Sequence, residues 1–135
     1  MARSDRLLKI AIVDDDDVDA IVLHRVLSKI DKVSLQTFTS PKALFSSEFC
    51  KDVDLIFTDI MMPEMDGLEL IQQAKSLPHG PKIVAVSGSF DRSRSKSNRV
   101  DYLQVAEAFG AHASITKDEI SKGLPDKIFQ LIERC

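Results

Sequence analysis

Three aspartates, a serine and a lysine stand at the ends of short apolar runs. Asp14 and Asp15 follow Ile10-Ala11-Ile12-Val13, and Asp59 follows Leu55-Ile56-Phe57-Thr58. Ser87 closes Ile83-Val84-Ala85-Val86, and Lys117 comes just after Ala113-Ser114-Ile115. Runs this short, without polar alternation, suit parallel strands covered on both faces. The C-terminal edge of such a sheet is where ligands bind, so the five side chains are expected to meet there. Three carboxylates brought together repel, and their joint ionisation near neutral pH needs a cation. Oxygen donors without His or Cys select a hard ion, Mg²⁺. An ion held there would also take a phosphate oxygen. Asp59 is then placed to attack phosphorus as a carboxylate nucleophile, with the metal and the Lys117 ammonium spreading the developing charge and Ser87 donating a hydrogen bond.

The elements that must position these residues alternate strand and helix five times. Asp16 or Asp17 can cap a first helix whose apolar positions are Val18, Ile21, Val22, Val26 and Ile30. Val33 to Phe38 alternates imperfectly and reads as a strand near the sheet edge. Ser40-Pro41 starts a short second helix through Ala43, Leu44, Phe45 and Phe49. Leu68, Leu70, Ile71 and Ala74 mark a third that stops before Pro78. Val100, Leu103, Ala106 and Phe109 mark a fourth closed by Gly110, and Pro125 opens a last helix with Ile128, Phe129, Leu131 and Ile132 on its apolar side. The pattern predicts an α/β fold: a five-stranded, doubly wound parallel sheet with helices on both faces.

With 135 residues and a formal charge of -3, the chain is expected to be one acidic domain, residues 1–135, without direct DNA binding. Cys50 and Cys135 read as free thiols. No apolar run reaches a membrane span's length and no signal peptide is apparent, so a soluble cytoplasmic protein is expected. His24, His79 and His112 lack metal-ligand spacing. Arg92, Arg94, Lys96 and Arg99, separated by serines and asparagine, read as a solvated loop. A flavin-binding alternative fails on the first loop, where four aspartates would repel a phosphate and no Gly-rich cradle stands.

Ile-Val-Asp-Asp-Asp at 12–16, Thr-Asp-Ile-Met-Met-Pro-Glu-Met-Asp-Gly at 58–67, Ser87 and Lys117 together resemble a response-regulator receiver domain of two-component signalling, of the single-domain chemotaxis type. The resemblance implies a flavodoxin-like sheet of order 2-1-3-4-5. It implies Asp59 as phosphoacceptor and Asp14 and Asp15 as the acidic pair. Mg²⁺ would be held by Asp15, Asp59 and the Met61 backbone carbonyl, with Asp14 acting through water. Ser87 would be the switch hydroxyl and Lys117 the phosphate partner. The donor would be a sensor histidine kinase or phosphotransfer protein, and the output a contact with a downstream protein, since no output domain follows the last helix. Such a chain is a phosphoprotein of a phosphorelay and not an enzyme, apart from self-dephosphorylation. The rival expectation is a degenerate receiver that acts as a phosphorylation-independent interaction module. Three features depart from the family pattern. Asp118 follows Lys117 where proline is usual, Ser114 stands where an aromatic switch residue is usual, and the stretch from Ser87 to Lys117 is lengthened. A trans peptide is expected between Lys117 and Asp118, because a cis bond before a non-proline residue costs about 2.5–4 kcal/mol.

Overall fold

Side-chain alternation along the central strands divides the interior into two layers. The computed structural model describes residues 7–60, 67–87 and 106–135. Within them β1 (Leu8–Val13), β2 (Val33–Phe38), β3 (Leu55–Asp59), β4 (Lys82–Ser87) and β5 (Ala113–Thr116) form one parallel sheet. Its order is β2-β1-β3-β4-β5, as expected. Leu8, Ile10 and Ile12 of β1 join Leu55, Phe57, Val84, Val86 and Ile115 on one face. Ala11 and Val13 join Ile56, Ile83 and Ala85 on the other. This is the period-two geometry of a pleated strand, and because both faces are covered the strands are apolar throughout.

Helices close each layer. On the first face lie α1 (Asp17–Leu27), through Ala20, Leu23 and Leu27, and α6 (Asp126–Glu133), through Ile128, Leu131 and Ile132. Ile120 of the short α5 (Lys117–Ser121) joins them. The second face is covered by Leu44 of α2 (Pro41–Phe45), by Leu70, Ile71 and Ala74 of α3 (Gly67–Lys75), and by Ala106 of α4, described at residues 106–109. Two of the expected caps are in place. Asp16 accepts from the Val18 and Asp19 backbone N–H groups, and Ser40 from that of Ala43.

Several expectations are corrected. Val18, Ile21 and Val22 do not face the core: they are 67%, 57% and 41% exposed, and Ala20, Leu23 and Leu27 are buried instead. Val26 and Ile30 do pack against that core, so the expected stripe fails only over its first three positions. Phe109 and Phe129 are likewise exposed large apolar groups. The second helix ends at Phe45, and Phe49 belongs to a separate 3₁₀ turn, Phe49–Lys51. Pro125 caps α6 rather than occupying its first turn. No helix had been expected at Lys117, yet α5 begins there. Thr116 and Glu119 form a capping box in which the Glu119 backbone N–H donates to Thr116 Oγ1 and the Thr116 backbone N–H to Glu119 Oε1. Cys50 and Cys135 are free thiols.

Candidate functional site

Strand register assembles the site one residue at a time. Val13 pairs with Thr58, so Asp14 leaves β1 beside Asp59. Asp59 pairs with Val86 and Ser87 with Thr116, which puts Ser87 and Lys117 at the next two strand ends. All four residues lie along the C-terminal edge of β1, β3, β4 and β5. Asp14, Asp59 and Ser87 are buried, and Asp15 is exposed.

A close approach at Gly67 supports this edge. Its N–H donates to the Ile60 carbonyl. A Cβ there would come within 2.4 Å of the Ile60 Cα and 2.6 Å of the Asp59 carbonyl oxygen, inside any tolerable contact. Only glycine lets α3 start this close to Asp59.

One carboxylate oxygen each of Asp14, Asp15 and Asp59 lie within 4.8 Å of one another. The donors are all oxygen, two buried and one exposed, which is the set a hard divalent cation takes. The Lys117 ammonium lies 3.1 Å from Asp14 Oδ2 and 3.4 Å from Asp59 Oδ2. It also donates to Asp19 Oδ2 on α1. Asp14 Oδ1 accepts from the Asp16 backbone N–H at 2.9 Å.

Burial pushes the Asp14 carboxyl up to about 6 and the Asp59 charge adds to the rise, while the Asp16 N–H and Lys117 oppose it. Burial alone would lower Lys117. The Asp19 hydrogen bond, then the charges of Asp59 and Asp14, outweigh that and hold the ammonium well above its ordinary value. The pocket therefore stores excess negative charge around one fixed cation. Among the described residues, Ser87 Oγ is the buried side-chain polar atom without a hydrogen-bond partner. Leaving such a hydroxyl unpaired costs about 1–3 kcal/mol.

Met61, the segment Arg92–Arg99 and the expected helix positions Val100 and Leu103 lie outside the described residues. Ser114 is buried, and its hydroxyl donates to Glu107 Oε2 at 2.6 Å, tying β5 to α4 where an aromatic side chain had been the family expectation. Every described peptide bond is trans, including that from Lys117 to Asp118. Sequence reasoning missed Asp19 and the helix at Lys117. Thr116-Lys117-Asp118-Glu119 is the four-residue signature of a capping box, and that spacing was available in the sequence. Nothing in sequence separates Asp19 from the other acids of the first turn.

Residues 10–129 match the response regulator receiver domain family. The chain is 39% identical over 80 residues to the heme response regulator HssR of Staphylococcus epidermidis, covering 58% of this chain and 34% of that protein. It is 32% identical over 83 residues to the transcriptional regulatory protein NatR of Bacillus subtilis, covering 61% and 36%. The chain thus matches about a third of the length of these relatives. In structure it resembles the CheY-like receiver domain protein of Methanospirillum hungatei with a TM-score of 0.66 at 24% identity, covering 96% of this chain and 99% of that one. Receiver domains bind Mg²⁺ at an acidic pocket and interact with histidine kinases or phosphotransfer proteins, and among the described residues no helix is long and apolar enough to cross a membrane. Family match, sheet order and strand-end acids agree: the chain belongs to the response regulator receiver domains of two-component signalling.

Proposed function

We propose that Asp59 accepts a phosphoryl group from a phosphohistidine on a sensor histidine kinase or phosphotransfer protein, and that the phosphorylated domain signals through contact with a downstream protein. The observation that carries this reading is the buried Asp59 carboxylate held in one pocket with Asp14, Asp15 and Lys117. In the transfer an Asp59 carboxylate oxygen forms a bond to phosphorus as the phosphorus–nitrogen bond breaks. The imidazole leaves as the neutral ring once protonated, and an acyl phosphate remains.

Each side chain has a part. Asp15 and Asp59, with the Met61 backbone carbonyl, would hold Mg²⁺, and Asp14 would act on it through water. The bound cation offsets carboxylate repulsion and balances phosphoryl charge. Lys117 supplies a fixed positive charge beside Asp59, and Ser87 gains in the acyl phosphate an acceptor for its buried hydroxyl. Loss of the phosphoryl group by hydrolysis would reset the domain. Residues 1–135 act in this reading as one receiver unit, without DNA contact.

Incubation with Mg²⁺ and a small phosphodonor tests the assignment. A mass gain of one phosphoryl group is expected, absent in Asp59→Asn and lost together with metal dependence in Asp15→Ala. Undiminished labelling of Asp59→Asn sinks it. Partner binding that is the same for labelled and unlabelled protein would select the phosphorylation-independent module, for which the Ser114–Glu107 hydrogen bond in place of an aromatic switch is the supporting observation.

A further inference from the structure

Lys117 is held by more acid than the reaction centre supplies. Its ammonium meets Asp14 at 3.1 Å and Asp59 at 3.4 Å, yet it also bonds Asp19, which is no part of the carboxylate cluster. Asp19 stands in the first turn of α1, while Lys117 is the first residue of α5, and the two helices pack against each other. The Asp16 cap fixes the backbone of one partner and the Thr116–Glu119 capping box that of the other. Both are mostly shielded: the side chains are 20% and 11% exposed. The pair is therefore a constrained contact between two helix starts and not a mobile surface ion pair.

We infer that Asp19 is a positioning residue that draws the Lys117 ammonium toward α1, so that the ammonium and a divalent cation can be accommodated beside the same carboxylates. The inference rests on the phosphoacceptor reading of the pocket. Without Asp19, the ion partners left to Lys117 in this pocket include Asp14 and Asp59, the groups a cation must also engage. An ammonium and a metal ion competing for them repel strongly at such distances. Asp19 gives the ammonium an anchor outside the cluster, which lessens that competition and keeps Lys117 within reach of a phosphoryl group on Asp59. Asp118, where a proline would be usual in the family, is part of the same arrangement. With no proline after it, Lys117 is free to take the helical backbone conformation, so α5 starts there and its side chain reaches Asp19 on α1.

The test is a double-mutant cycle on Mg²⁺ affinity, read by isothermal titration calorimetry at pH 7.5 and physiological salt. Relative to wild type, Asp19→Asn is expected to weaken Mg²⁺ binding roughly tenfold, within the usual range for coupling between sites. In a Lys117→Met background the same change is expected to shift the Kd less than about threefold, since only the screened direct charge effect remains. Asp19→Glu keeps the charge and should restore affinity, and it provides the comparison if Asp19→Asn folds poorly. Merely structural damage would weaken binding equally in both backgrounds, and that outcome overturns the proposal. So does an Asp19→Asn affinity equal to wild type. Absence of saturable Mg²⁺ binding by the wild type would instead bring down the phosphoacceptor reading, and this inference with it.

Discussion

Removing one charge from the pocket should stabilise the metal-free protein, and Asp14 is the residue on which to see it. Its carboxyl is raised from an ordinary 3.8 to about 6 first by burial and then by Asp59, so at neutral pH its ionised form is held at a cost. The difference corresponds to roughly 3 kcal/mol at 1.36 kcal/mol per pH unit. That is an upper bound for Asp14→Asn, because the substitution also takes one partner from Lys117, which keeps Asp19 and Asp59. The Asn oxygen can still accept from the Asp16 N–H. A net gain of about 1–2 kcal/mol is expected at pH 7.5, or roughly 4–8 °C in Tm.

The sign follows from proton counting. Between pH 3.8 and about 6 the folded protein holds a proton on Asp14 that the unfolded chain has released, so wild-type stability falls as pH rises through that window. Asp14→Asn lacks this loss. The advantage of the variant should be near zero at pH 4, grow through the window and stay constant above about pH 7. Urea melts followed by far-UV circular dichroism, with EDTA throughout, measure it directly. Saturating Mg²⁺ should reverse the order, because ligand binding to the folded state stabilises the wild type selectively. A variant less stable than wild type at pH 7.5 in EDTA, or a difference that does not change with pH, would refute the reasoning that ionised Asp14 is held in the pocket at an electrostatic cost.

Three further outcomes are expected. Ser87→Ala should leave unphosphorylated stability unchanged or raise it by about 1–2 kcal/mol, since an unpartnered buried hydroxyl is removed, while slowing phosphorylation by a small donor; a large drop in a chemical-denaturation midpoint would show that the hydroxyl is already paired. Gly67→Ala should cost about 1–3 kcal/mol and abolish labelling of Asp59, because its Cβ must push the Asp59–Ile60 backbone away; normal labelling kinetics would contradict that contact. Thr116→Ala should cost about 1 kcal/mol through the lost cap, and should also lower Mg²⁺ affinity by loosening Lys117, both checked by denaturation and calorimetry.

Much of this protein is legible without coordinates. Short unbroken apolar runs such as Ile10–Val13 and Ile83–Val86 suit strands buried on both faces, and together with the less regular Val33–Phe38 and Ala113–Ile115, alternating with helical patterns, they point to a parallel, doubly wound sheet. The same runs end in Asp14, Asp59 and Ser87, so the existence of a carboxylate-rich edge, and its preference for a hard cation, follow from local sequence. Tertiary structure decided the rest. The face α1 buries was misjudged because Val18, Ile21 and Val22 are as apolar as Leu23 and Leu27, and only packing against β1, β2 and α5 selects between them. Gly67 looks like any loop glycine until Ile60 is seen 2.4 Å from where its Cβ would lie. Asp19 is one of several acids in a run until α5 delivers Lys117 to it across the long sequence separation between the two helices. Elements and strand-end chemistry are written in neighbouring residues, whereas which acid holds the lysine depends on distances between helices that no local pattern encodes.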